Sequence, residues 1–334
     1  MTLEVHPNVN ENQYIHPNFD FIKMCRKPSR ESKVYIENAT NISRATCYMV
    51  SHLDPYLKLG PFRLEVKFFS PFRSIIHDFF MENEIEWILN YSKPRLSSSR
   101  VIIPSNEGKL PWEHRYVDEK TGSTVVKTVH TWFDDIAYNE KDVYQKINEV
   151  DEAPMFQIEP LTDPYTYTIV NPVMVKISRR IEMVTRFNVT QRYASSQYQT
   201  TNYGLAGLVE KHNDAWGYAA DGVKLTEDRQ HLVTNGDFMA TFMGWLSNTD
   251  QGGNTAYVNI DGLEQIKPER GSAAFWINLY SCQRRDFKAG HLGCPVLKGQ
   301  KWILNKWTNS FEQWKYWPCR LDHYLDLQNR HGWP

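Results

Sequence analysis

From Ser195 to Trp307 the chain reads as short β-rich runs broken by glycine, and one of these carries His212-Asn213-Asp214. No other feature constrains the chain as much. Side chains of an extended run alternate with period two, so an imidazole and a carboxylate at i and i+2 share a face. Together they fill two positions around an octahedral metal. One more imidazole completes the 2-His-1-carboxylate triad, which leaves positions open for substrate and oxygen on non-haem Fe(II). His291, 77 residues past Asp214, is the favoured third ligand, and Lys301 follows it in the apolar run Lys301-Trp302-Ile303-Leu304-Asn305-Lys306-Trp307. His231, His323 and His331 are the alternative imidazoles. Alone, a His-x-Asp is a weak signal whose bland reading is a solvated loop.

The surrounding pattern predicts a fold class. Phe238–Leu246, Thr255–Val258, Ala273–Ile277 and Trp302–Leu304 are strand candidates, and Gly252-Gly253 and Pro268-Glu269-Arg270-Gly271 are turns. Short strands with glycine punctuation suit a double-stranded β-helix, or jelly roll, over residues 195–320. Upstream, Leu64–Ser70 reads as a strand. Ser74–Tyr91 has the apolar spacing of an amphipathic helix, stopped at Lys93-Pro94. Val101–Trp132 alternates short β-rich runs with turns, and Val173–Phe187 reads as a helix that would back the sheet. The expectation is therefore an α+β protein: a polar arm over 1–60 carrying Cys25 and Cys47, then one domain over 61–334. Within that domain a helix-rich support (61–194) precedes the jelly-roll core. Residues 134–165, acidic and proline-containing, read as a surface insertion.

Composition narrows the function. A formal charge of −1 and a pI near 6.8 leave no electrostatic footprint for nucleic acid. No run approaches the roughly eighteen apolar residues of a membrane span, and Met1–Asn12 lacks a signal-peptide pattern. Asn38, Asn41, Asn90 and Asn188 each open a glycosylation sequon. The five cysteines leave at least one unpaired; Cys25 with Cys47 is a candidate bridge, and five reduced thiols is the alternative.

The ordered set Asn202-Tyr203-Gly204, His212-x-Asp214, Ala240-Thr241, Gly252-Gly253-x-Thr255, Ala274-Phe275-Trp276-x-Asn278-Leu279, His291-x-x-Cys294-Pro295-Val296-Leu297-x-Gly299-x-Lys301-Trp302 and Asn305-Lys306-Trp307 resembles a known family. It is similar to the catalytic domain of animal prolyl 4-hydroxylase alpha subunits, among the Fe(II)- and 2-oxoglutarate-dependent dioxygenases. Lys93-Pro94-Arg95-Leu96 matches a further family signature. The resemblance implies Fe(II) on His212, Asp214 and His291, with 2-oxoglutarate, O2 and L-ascorbate as cosubstrates. It implies that Lys301 anchors the far carboxylate of 2-oxoglutarate, with Tyr203 and Thr241 donating hydroxyls to it. Lys306, the rival cation, has the register of the opposite face. Trp276, Asn278 and Trp307 fall on matched positions that line the pocket, and Ala215–Thr234 would overhang it.

Carried further, the resemblance implies a peptidyl-proline 4-hydroxylase acting on collagen-like or proline-rich polypeptides. Protein disulfide isomerase would be its partner and the endoplasmic reticulum lumen its compartment. It also implies a Cys294–Cys319 bridge, with Cys282 free. Three departures stand against it. The chain is too short for the family's N-terminal dimerisation and peptide-binding domains; 134–165 has no counterpart; and Gly244 and Ala256 are smaller than expected, which would reshape the pocket. The competing readings are a dioxygenase acting on lysine or another target, a catalytically silent subunit, and a zinc protein.

Overall fold

A computed structural model of the 334-residue chain describes residue 25 together with 47–51, 54–69, 71–98, 128–133, 136–138, 167–169, 171–191, 193–205, 207–216, 235–257, 264–280, 283–314 and 317. In chain order the strands begin with β1 (Cys47–Val50), β2 (Phe62–Phe69), β3 (Phe72–His77), β4 (Ser97–Ser98) and β5 (Thr128–Phe133). Next come β6 (Ile136–Tyr138), β7 (Tyr167–Ile169), β8 (Tyr198–Tyr203), β9 (Val209–His212) and β10 (Phe238–Trp245). The last are β11 (Gln251–Gly252), β12 (Thr255–Tyr257), β13 (Glu264–Ile266), β14 (Ala273–Ile277), β15 (His291–Gly293), β16 (Val296–Lys298) and β17 (Lys301–Asn309). A nine-stranded sheet has the order β1-β2-β3-β14-β10-β17-β8-β5-β4, and a four-stranded sheet the order β13-β12-β15-β9. Every pairing among the described strands is antiparallel.

Alternation along the central strands separates two cores. On β10, Ala240 and Phe242 join a core that includes Ile85, Ile88, Met174, Ile177 and Ile181 from the helices. Met243 and Trp245 point the other way, into a core shared with Tyr257 and Ile266 of the small sheet. The same switch occurs on β14, where Phe275 faces the helices and Trp276 faces the small sheet. With β-branched and aromatic residues on both faces, these strands are buried throughout, which explains why they read as continuous apolar runs.

Two helices cover the large sheet: α2 (Glu82–Ser92) and α3 (Pro172–Thr185), after the short α1 (Pro55–Leu59). Pro172 opens α3, and the side chain of Asn171 caps it by accepting from the Met174 N–H. Arg180 of α3 donates to both carboxylate oxygens of Glu84 at 2.8 and 2.7 Å and to the Phe79 carbonyl, tying the helices together. The described part of 61–194 carries strands beside these helices, β2 to β7, so the support expected to be helix-rich also contributes to the sheets. The predicted helix over Ser74–Tyr91 begins only at Glu82. Residues 72–77 form β3 because both faces of that run are buried, between β2 and β14; Asp78, at φ 51°, turns the chain out of the strand.

Three further expectations change. Cys294 is bonded to Cys25 rather than to Cys319, and Cys47 is free and exposed, so Cys25–Cys47 is not formed either. The bridge sits on the outer face of the small sheet, where Ala256, Leu292 and Cys294 pack with Cys25 and Leu208. Ala256 thus lies on the face away from the site, and so does Gly244, where a Cβ would fall 2.3 Å from the Phe80 ring. Neither small residue reshapes the inter-sheet space. Among the sequons, Asn188 is buried and its side-chain oxygen accepts from the Thr190 and Gln191 N–H groups, whereas Asn90 is exposed on α2. Most of 134–165 and of Ala215–Thr234 lies outside the described residues, as do Asn38, Asn41, His231, His323 and His331.

Candidate metal centre

β9 and β15 run antiparallel, and His212 and His291 are direct partners across them. Their ring centroids are 4.3 Å apart. β9 ends at His212, so the pleat of a continuing strand does not bring Asp214 round. A local turn does: the Asn213 side-chain oxygen accepts from the Ala215 N–H at 3.0 Å, and its amide donates to the Asp286 carbonyl at 2.7 Å. Asp214 Oδ1 then lies 3.5 Å from His212 Nε2, and Oδ2 lies 3.8 Å from His291 Nε2. One ligand atom from each residue falls within 4.8 Å of the others.

The protonation states suit a cation. Burial pushes the Asp214 carboxyl up, but His291, His212 and the Thr241 hydroxyl together outweigh it and hold the group well below the usual carboxylate range. Burial also takes the His291 imidazole down to about 4; Asp214 and the Ala289 carbonyl oppose that, while His212 and Arg73 add to it. An ionised carboxylate beside a neutral imidazole is the form that binds a divalent metal. His291 Nδ1 lies 3.1 Å from the Ala289 carbonyl, which can only accept, so Nδ1 carries the proton and Nε2 keeps its lone pair for a ligand. Cys294, the nearest cysteine in sequence, is in a disulfide, so this group offers no thiolate of the kind a structural zinc site uses.

A hydrogen-bond chain reaches the carboxylate from the large sheet. Thr241 donates to Asp214 Oδ2 at 2.6 Å, and Asn278 Nδ2 donates to Thr241 Oγ1 at 2.8 Å. The Thr241 hydroxyl here engages Asp214, where the resemblance implies a contact with the cosubstrate carboxylate. Asn278 serves the same chain, and its buried Oδ1 has no partner among the described residues. Trp276 and Trp307 are the cross-strand partners of Thr241 on either side. The Trp276 ring meets His291 edge-on at 4.7 Å, while Trp307 stacks on Phe238 at 5.6 Å.

Lys301 begins β17 on the same inter-sheet face and is 1% exposed. Its ammonium donates to the Thr255 hydroxyl at 3.2 Å and lies 5.2 Å from the centroid of the Tyr203 ring, its cross-strand partner. Among the described residues it has no carboxylate partner, and burial lowers its pKa to about 7. Burial, with the Asp214 carboxylate, raises the Tyr203 phenol, so that hydroxyl keeps its proton for donation. A buried amine without an anion fits a ligand that brings one. Lys306 lies elsewhere, 4.2 Å from the Tyr198 ring in the core on the helix side. In the sequence Thr255 is marked only by Gly252-Gly253-x-Thr255, which assigns it no role. Arg73, buried beside the site, had no signal at all.

A sheet-rich protein whose two sheets enclose a 2-His-1-carboxylate group defines a class, the candidate mononuclear metal proteins. The comparisons then place the chain among its relatives. It is similar to prolyl 4-hydroxylase subunit alpha-3 of Bos taurus, 28% identical over 273 residues, covering 82% of this chain and 40% of that protein. It is 32% identical over 151 residues to prolyl 4-hydroxylase subunit alpha-1 of Homo sapiens, covering 45% of this chain and 26% of that one. No family model matches. Among solved structures, a viral collagen prolyl hydroxylase from Paramecium Bursaria Chlorella virus-1, in its 2OG complex, superposes with a TM-score of 0.42 and 17% identity over 71% of this chain and 96% of that one. The similarity to the bovine protein extends over most of this chain, which itself spans about two fifths of that relative's length.

Proposed function

We propose that this chain is an oxidoreductase domain, a peptidyl-proline 4-hydroxylase dependent on Fe(II) and 2-oxoglutarate, with its paired sheets forming a double-stranded β-helix. The observation that carries the reading is the meeting of His212, Asp214 and His291 within 4.8 Å of one another. When bound, iron and 2-oxoglutarate supply the oxidation: O2, the oxo-diacid and a substrate C–H give C–OH, succinate and CO2, which balances. The protein's part is binding and orientation. His212, Asp214 and His291 hold the metal, Thr241 and Asn278 fix the carboxylate, and Lys301 with Thr255 and Tyr203 receives the far carboxylate of 2-oxoglutarate. The inter-sheet wall of Trp245, Tyr257, Trp276 and Ile303 keeps that end dry, which strengthens the ion pair.

Proline in a collagen-like or proline-rich peptide is the substrate this reading favours, supported by similarity to prolyl 4-hydroxylase alpha subunits. It brings L-ascorbate as reductant, protein disulfide isomerase as partner and the endoplasmic reticulum lumen as compartment. Support for an oxidising compartment is the Cys25–Cys294 disulfide. The test is to incubate the protein with Fe(II), 2-oxoglutarate, ascorbate and a Pro-Pro-Gly repeat peptide and read the mass. The expected result is one added oxygen on proline, lost in Asp214→Ala and in His291→Ala. An oxygen found on lysine, or unchanged turnover in either variant, overturns the reading.

A further inference from the structure

Arg73 is an arginine where a buried apolar residue would be cheaper. It sits on β3, directly opposite Trp276 of β14, and is 1% exposed. Sequestering a guanidinium costs several kcal/mol unless its surroundings compensate, and those surroundings are specific. Arg73 Nη2 donates to the Lys288 carbonyl, in the single turn Phe287–Ala289 that leads into β15. Its Cζ lies 4.2 Å from the centroid of the Tyr257 ring and 5.1 Å from that of Phe68. Tyr257 in turn contacts Trp276 and His291, with ring centroids 5.7 and 5.9 Å away.

One side chain therefore touches three separate pieces of the site. It stands on the large sheet, lies against a strand of the small sheet, and holds the turn that delivers the distal histidine. The next carbonyl after the one it grips, that of Ala289, is the group at His291 Nδ1. A turn free to rotate its peptide planes would lose that contact, and with it the ring orientation that aims Nε2 at Asp214.

We infer that Arg73 is a positioning residue for the distal metal ligand: by gripping the Lys288 carbonyl and packing on Tyr257, it locks the Phe287–Ala289 turn so that the Ala289 carbonyl fixes the His291 tautomer and ring angle. The inference rests on His291 being a metal ligand. Outer groups that orient a ligating histidine are typically worth about 10–100-fold in metal affinity. Lys288 offers only its backbone, so no sequence motif marks the partner.

The test is a Co(II) titration of the whole chain, followed by visible absorption, well below the unfolding temperature of each variant. Arg73→Met, which keeps length and apolar packing, is expected to weaken Co(II) binding about 10–100-fold. Arg73→Lys, which keeps the charge but cannot both grip Lys288 and cover Tyr257, is expected to fall between the two. In metal-free protein, ¹⁵N shifts of the His291 ring should report one tautomer in the native chain and a mixture in Arg73→Met. A role confined to core stability would lower the unfolding temperature and move neither readout. Native-like Co(II) affinity in folded Arg73→Met overturns the inference; should that variant not fold, native-like affinity in Arg73→Lys does so. If the native chain binds no Co(II), it is the metal reading that fails instead.

Discussion

Asp214 stands between two imidazoles and a hydroxyl, and each neighbour constrains it differently. The imidazoles bring their Nε2 atoms to 3.5 and 3.8 Å from its two oxygens, while Thr241, holding Oδ2 at 2.6 Å, leaves Oδ1 as the freer oxygen. Thr241→Val removes that donor at almost constant shape and strands the Asn278 amide as well. Metal affinity should fall about 10–100-fold and return with Thr241→Ser, as read by Co(II) titration; native affinity in the valine variant would mean that the carboxylate orients itself. Lys301 offers a second prediction, through pH. Its amine, at about 7 in the free protein, is already charged below that value, so affinity for 2-oxoglutarate should be flat there. Above it, binding has to take up a proton, and affinity should drop by up to about tenfold per pH unit. Calorimetric titrations in two buffers of different ionisation enthalpy would show the uptake. The sign for folding follows from the same lowered value. Between about 7 and the ordinary 10.5 the unfolded chain binds the extra proton, so stability gained from deprotonating Lys301 rises with pH across that window. Lys301→Met should accordingly unfold at a higher temperature than the native chain near neutral pH, with the gap closing towards pH 10.5.

At the scale of elements, the strand that carries Thr241 also has to admit the helix layer. Gly244 on β10 is where Phe80 lies against the sheet, and a Cβ there would fall 2.3 Å from the ring. Gly244→Ala should cost about 1–3 kcal/mol of stability by overpacking, measurable by urea denaturation, and leave Co(II) affinity unaltered, because the residue faces away from the site. An equally stable alanine variant would show that Phe80 has room to move. The sequence could not assign this face. Against the family pattern Gly244 reads as a reshaped pocket wall, since nothing local says which of two buried faces a small residue serves. The same limit explains residues 72–77, where apolar spacing over Ser74–Tyr91 fits a helix until both sides of the strand prove to be covered. Legible elements are those with clear periods, notably α3, expected over Val173–Phe187, and the runs that form β10, β12, β14 and β17. At the site, metal-ligand chemistry marked His212, Asp214 and His291, whereas the partners of Thr241 and Arg73 depend on cross-strand register, which short-range patterns do not encode.

At the scale of the whole molecule, the Cys25–Cys294 bridge joins residues 269 apart in sequence and so closes a very long loop. It ties residue 25 to the outer face of the small sheet, one residue past the end of β15. The pairing differs from the one the motifs implied because a disulfide depends on which segment covers Cys294 in space, and spacing along the chain does not report that. Restricting so long a loop stabilises mainly by limiting the unfolded chain, so Cys25→Ser should lose about 2–4 kcal/mol. The metal group should be indifferent to that loss. His291 is held by its pairing with β9, by β12 on the other side and by the Ala289 carbonyl, none of which passes through Cys25. Urea denaturation of Cys25→Ser beside the native chain, each with and without reductant, should show the native protein alone responding to reductant. Co(II) affinity of both, measured where both are folded, should agree. A weakened metal site in folded Cys25→Ser would mean that the covering segment, and not only the sheet pairing, holds the distal histidine in place.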